Sequence, residues 1–363
     1  MSIISIKNLE KRIGNDLILR GVNAEIEKGE VVSIIGPSGM GKSTFLRAIN
    51  FLDPPTAGDV FFDGVKLTKE NADAVRRRMN MVFQNFGLFS HLDVMGNLTV
   101  GPVKLLKKTK REAEDEALQL LKSVGLAERA RFFPRQLSSG QKQRVAIARC
   151  LAMSPEVVLF DEPTNELDST MVNEVMAVMR GLAKSGMTML VVTHNLDFAR
   201  EASTRVFYMD EGMIYDDGSP EDIFGKRQKP KTREFIFMIR SFNYEIENRD
   251  FDYVEMLSGV ENFCFRNAIE KRTANKLQLL AEELILNIVV PKYEACSLNL
   301  SFSEKLGHYE LSVTYCGEKN DVMQDAEDEL SVIMVKKSAH NLRHEYFPED
   351  GDSGGRNVIT ATL

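Results

Sequence analysis

Two short runs in this chain carry residue types at spacings that could do chemistry. Gly36-Pro37-Ser38-Gly39-Met40-Gly41-Lys42-Ser43 has glycines at its first and sixth positions and ends in a lysine and a hydroxyl. That spacing suits a loop whose backbone N–H groups turn inward around phosphate oxygens, with a helix behind it aiming its positive end at them. Lys42 would bring charge to the β- and γ-phosphates. Ser43 would offer its hydroxyl to Mg²⁺, and Thr44 stands beside it. The second run is Asp161-Glu162, directly after the apolar residues VVLF. A carboxylate at the end of a buried strand is costly unless it holds a cation or an ordered water. Asp161 would hold Mg²⁺ through water, and Glu162 would polarise an attacking water as a general base. The bland alternatives are a ligand-free Gly-rich turn and a salt-bridged surface turn. A strand before and a helix after the first run disfavour the former, and four apolar residues before the second disfavour the latter.

The elements that must position these residues follow from periodicity. VVSII (31–35) and VVLF (157–160) are apolar on both faces and predict buried parallel strands. KSTFLRAINFL (42–52), EAEDEALQLLKSVGL (112–126) and QKQRVAIARCLAM (141–153) predict helices. Strands alternating with helices imply an α/β domain. The Lys-rich stretch at 225–234 ends this pattern. Beyond it the sequence predicts a strand and turn from Phe242, two helices over 254–290, strands near 298–304 and 308–315, and a last strand at 357–363. That order suggests a smaller α+β domain, a sheet with helices on one face, over residues 244–363.

Leu137-Ser138-Ser139-Gly140-Gln141 followed by KQRVAIAR resembles the signature of ABC ATPases, in which a P-loop NTPase domain carries a helical signature subdomain. Gln84 in VFQNFGLF, Asp168 in NELDS and His194 in VVTHN stand in the order of that family's Q-loop, D-loop and switch histidine. The resemblance covers residues 1–243. It implies a head-to-tail homodimer, with ATP between the phosphate loop of one subunit and Ser138–Gln141 of the other. By the same resemblance Gln84 and His194 join Glu162 in catalysis, Gln84 also reaches the metal, and Asp168 lines the nucleotide interface. Residues 82–105, 197–214 and 218–224 are most similar to importers of polar amino acids. That implies transmembrane permease subunits, an extracytoplasmic solute-binding protein and a place on the cytoplasmic face of the membrane. The sequence departs from the family at two positions. Ser139 replaces a glycine, at a helix start where serine is well tolerated. Ile13 stands where an aromatic ring usually stacks on adenine, and no tyrosine precedes Tyr208.

Composition narrows the options further. The net charge is −7 over 363 residues. From Tyr244 onward there are 22 acidic and 12 basic side chains, a balance that disfavours nucleic acid as a partner. Cys150, Cys264, Cys296 and Cys316 show no metal spacing. No apolar run reaches the ~18 residues of a membrane span, so membrane contact is expected only through partners. The second domain resembles the histidine-kinase-type ATPase fold, in its anti-sigma-factor kinase branch, through LAEELILNIVV (280–290). In that family the Glu283 and Asn287 positions hold water and Mg²⁺. An ordinary amphipathic core helix accounts for the same spacing. Tyr315 stands where the family's adenine-reading Asp belongs, Pro291 replaces a basic residue, and LSVIMVKKSAHNLRH (330–344) replaces a glycine-rich lid. These changes predict a retained fold with little or no ATP binding and a regulatory, dimerising or partner-binding role. The competing readings are a soluble ABC ATPase acting on ribosomes or DNA, and a signalling protein whose second domain is a serine kinase.

Overall fold

The computed structural model describes residues 2–225, 228–303, 305, 307–324, 329–348 and 355–363. Lys226 and Arg227 of the Lys-rich stretch, and Glu304 at the end of an expected strand, lie outside the described residues. Contacts divide the chain into two units, Met1–Thr232 and Arg233–Leu363.

In the first unit, strands β1 (Ser2–Ile13) and β2 (Asp16–Glu27) form a hairpin whose turn places Gly14 in left-handed backbone. β3 (Val31–Ile35) is buried at every position and leads through the glycine loop into helix α1 (Lys42–Ile49). β4 (Ala57–Phe62) and β5 (Val65–Lys66) complete an antiparallel sheet ordered β2-β1-β4-β5. After α2 (Ala72–Arg78) and β6 (Met79–Val82) come α3 (Val94–Leu105), α4 (Lys110–Ser123) and α5 (Ser139–Leu151). These last three helices share a core of their own, including Val94, Leu98, Ala117, Leu121, Val145 and Ala148. This is the helical subdomain the signature implied.

β7 (Val157–Asp161), α6 (Ser169–Lys184), β8 (Thr188–Val192), α7 (Leu196–Ala202), β9 (Arg205–Asp210) and β10 (Met213–Gly218) follow. They complete a six-stranded sheet ordered β10-β9-β3-β8-β7-β6, parallel except at β10–β9. β3, β7 and β8 are buried at all five of their positions, which is why they read as nearly continuous apolar runs, with one polar residue each at Ser33, Asp161 and Thr188. Their shared direction brings the segments after Ile35, Asp161 and Val192 to one edge of the sheet, where ligands of open parallel sheets bind. The unit closes with α8 (Pro220–Phe224), and α9 (Pro230–Phe237) crosses the division. Lys231 pairs with Asp210 and Glu211, and buried Thr232 donates to Asp216 at 2.8 Å. The end of the unit is thereby pinned to the β9–β10 hairpin.

The second unit opens with β11 (Ile239–Ile246), α10 (Tyr253–Arg266) and α11 (Lys271–Glu282), which runs into π-helical turns at Glu283–Val289. β12 (Cys296–Ser303), β13 (His308–Gly317), α12 (Glu329–Ser338), β14 (Asn341–Phe347) and β15 (Gly355–Thr362) follow. The antiparallel sheet is ordered β11-β12-β13-β15-β14. Alternate residues Leu298, Leu300, Leu311, Val313, Ile359 and Ala361 pack with Met256, Val260, Leu277, Leu284 and Ile288 of the helical layer. The intervening positions are Asn299, Ser301, Ser312, Thr314 and Thr360, so the helices cover one face only. The first strand of this sheet begins at Ile239, five residues ahead of the boundary expected from sequence. Residues 330–344 form α12 and β14.

Candidate functional site

The glycine loop is shaped by backbone that side chains rarely tolerate. Gly36 has φ 142°, and a Cβ there would lie 2.1 Å from the Met209 carbonyl oxygen of β9. Gly41, with φ 89°, caps α1, and a Cβ on it would crowd Leu19 and the Ile18 carbonyl of β2. The loop therefore lies against two strands, with Ser38 and Gly39 exposed and Pro37 and Met40 part-buried. Lys42 is buried and donates to the Gly36 and Pro37 carbonyls at 2.8 and 2.6 Å. Burial pushes its ammonium below the usual lysine value, an effect the nearby Glu162 and Asp161 carboxylates oppose. Ser43 and Thr44, part-buried, form the first turn of α1.

Asp161 ends β7 and is 2 % exposed. Its Oδ2 accepts from the Arg47 guanidinium at 3.2 Å, while its buried Oδ1 has no hydrogen-bond partner among the described residues. A buried carboxylate oxygen left open in this way fits a metal-bound water. Glu162 follows with φ 46°, an uncommon conformation for a residue with a side chain, and its N–H donates to the Val192 carbonyl at 3.0 Å. That turn aims its carboxylate at His194 beyond β8, with Oε1 and Nε2 3.2 Å apart. Lys42, Asp161, Glu162 and His194 thus come together at one sheet edge.

The other expected residues are held elsewhere in the unit. Gln84 lies part-exposed in the turn after β6. Ile13 ends β1 and is 54 % exposed. Ser138 caps α5, accepting from the Gln141 N–H at 3.3 Å, while Gln141 Oε1 accepts from the Ser138 N–H at 3.1 Å. Ser139 is the first residue of α5, where a hydroxymethyl is accommodated. Gly140 keeps its glycine where a Cβ would lie 2.8 Å from the Met171 side chain. Asp168 caps α6, and its carboxyl is held below the usual range by hydrogen bonds from the Thr170 hydroxyl and the Met171 N–H.

Known proteins match this arrangement. The ABC transporter family profile fits residues 19–165. An arginine transport ATP-binding protein of Bacillus subtilis is 45% identical over 236 residues, covering 64% of this chain and 98% of that protein. A glutamate/aspartate import ATP-binding protein of Escherichia coli K12 is 46% identical over 239 residues, covering 65% and 99%. A dimeric ATP-binding cassette in a post-hydrolysis state with ADP and phosphate superposes with a TM-score of 0.55 at 37% identity, over 60% of this chain and 98% of the other. The chain belongs to the ABC transporter ATP-binding family.

As an ABC ATPase it binds and hydrolyses ATP, and its first unit carries the P-loop fold. No helix among the described residues is long and apolar enough to cross a membrane. Sequence reasoning missed three residues that brace this ABC site. Arg47 stands four residues after Ser43 on α1 and pairs with Asp161. That spacing puts it on the face of Ser43, a signal that was available. Arg149 of α5 donates to the Gly87 carbonyl at 2.6 Å and so holds the turn that carries Gln84. Met171 touches Gly140 across 31 residues of sequence, a contact no local pattern announces.

Proposed function

We propose that residues 1–243 are the ATP-hydrolysing motor of an importer for polar amino acids and that residues 244–363 regulate it. The motor works as a homodimer at the cytoplasmic face of the membrane, with transmembrane permease subunits and an extracytoplasmic solute-binding protein. The observation that carries the hydrolytic reading is the Glu162–His194 pair beside the phosphate loop. The transported class is supported by 45–46% identity to the arginine and glutamate/aspartate transport proteins over nearly the whole of their length. Glu162 takes a proton from the attacking water. His194 holds the γ-phosphate and orients Glu162. Lys42 and the loop amides hold the β- and γ-phosphates, and Gln84 orients water from the side. Mg²⁺ would be held by Ser43 and, through water, by the open Oδ1 of Asp161, with Gln84 reaching it from the turn after β6, and would supply charge neutralisation at the phosphates.

The second unit, we propose, has the histidine-kinase-type ATPase fold with its nucleotide pocket closed by its own side chains. Tyr315 is 1 % exposed, donates its hydroxyl to the Asn320 carbonyl at 2.6 Å, and lies 4.5 Å from the Tyr293 ring. Buried Glu283 accepts from Asn287 at 2.8 Å and from Ser331 of α12. Both corners that would take a base and a metal are therefore already engaged.

The full chain should hydrolyse MgATP slowly alone and faster with its permease. Glu162→Gln should lose turnover by about a hundredfold or more while keeping ATP binding and trapping the dimer. Substantial turnover in that variant overturns the assignment of the base. Uptake of labelled arginine, glutamate or glutamine by vesicles carrying the assembled transporter tests the solute class, and uptake of none of them overturns it.

A further inference from the structure

Gly140 is the second residue of α5, and its N–H is one of the amides that a helix leaves without a partner in its first turn. This N–H donates to the Sδ of Met171 at 3.2 Å. The contact is tight, because even a methyl on Gly140 would overlap the Met171 side chain. Met171 donates its own N–H to Asp168 Oδ1 at 3.0 Å, and the same oxygen accepts from the Thr170 hydroxyl at 2.6 Å. One methionine thus joins the signature segment to the residue that caps α6. A thioether sulfur is a weak acceptor, whereas a phosphate oxygen is a strong, charged one. Sulfur at this position keeps the amide aimed and satisfied but gives it up easily.

We propose that Met171 is a positioning residue, a displaceable acceptor that holds the Gly140 N–H in the free subunit and yields it to a phosphate oxygen of ATP carried by a second copy of the chain. Occupancy of the signature segment is felt at Asp168 through the same residue, whose side chain meets Gly140 and whose backbone N–H meets Asp168. The proposal rests on the reading of Ser138–Gln141 as the segment that faces the partner's ATP.

The test uses the full chain carrying Glu162→Gln, with dimer formation followed by sedimentation as ATP is titrated. Met171→Leu keeps the volume and removes the acceptor, so the free state alone loses a bond. Half-saturation should fall by roughly two- to threefold, the size of a weak hydrogen bond. Met171→Gln supplies a carbonyl acceptor at similar reach, so half-saturation should rise by a similar factor. With Glu162 intact, KM should move in the same two directions and kcat should move less. A merely structural role would shift both variants the same way, and that result, or no shift in either, overturns the proposal. Ser138→Glu separates this from the underlying reading. If ATP still drives dimer formation in that variant, the signature reading falls and the Met171 proposal falls with it. If dimer formation is lost, the reading stands and the two methionine variants decide.

Discussion

Ile13 ends β1 with over half its surface exposed, so a larger ring at that position displaces nothing. Ile13→Tyr should tighten ATP binding about fivefold, the worth of about 1 kcal/mol of ring stacking. Calorimetric titration of the full chain reads this directly, and unchanged or weaker affinity refutes stacking at that position. Burial pushes the thiols of Cys150 and Cys296 up to about 12 and that of Cys264 up to about 11, while Cys316 is exposed. At pH 8 the native protein should give one fast-reacting thiol with a thiolate-specific reagent, lost in Cys316→Ser. Three further fast thiols would contradict the buried placement.

Elements were legible in the sequence where one face decided their pattern. β3 and β7 stand out because burial on both sides leaves them apolar at four of five positions each. α5 starts two residues before the helix expected from sequence at 141–153, because the Ser138 side chain, not a hydrophobic residue, sets its first turn. The spacing of Glu283 and Asn287 correctly put them on one helix face, since they are hydrogen-bonded. Their π-helical turns were invisible, because a widened turn depends on what packs against it. α12 was equally hidden, because Leu330 and Ile333 are exposed while Ser331 is buried, so its apolar residues do not mark one face. Arg149 and Met171 depend on long-range contacts that one sequence does not display. α12 also carries a test of its own. Ser331→Ala removes a donor from the buried Glu283 carboxylate and should destabilise the second unit by about 1–3 kcal/mol. Calorimetry should record a lowered transition for that unit, and an unchanged one would mean that the bond contributes nothing.

At the scale of the molecule, the relatives account for about two-thirds of the chain, and the second unit is an addition with its own core. A fragment of residues 233–363 is long enough to fold alone. Under the proposed histidine-kinase-type fold it should do so without binding ATP at millimolar concentration, because Tyr315 would stand in place of the adenine-reading carboxylate and Glu283 is already bonded to Asn287 and Ser331. Saturable micromolar binding lost on Asn287→Ala would overturn the closed pocket and revive a kinase role. Removing the second unit should leave ATP hydrolysis by residues 1–232 in place while altering its regulation or dimer stability. The left-handed backbone at Glu162 bears on the whole chain in another way. A side chain held there costs on the order of 1 kcal/mol, which glycine would relieve. Selection of this protein for heat resistance alone would therefore favour Glu162→Gly, a chain that outlasts its parent in the test tube and moves nothing across a membrane.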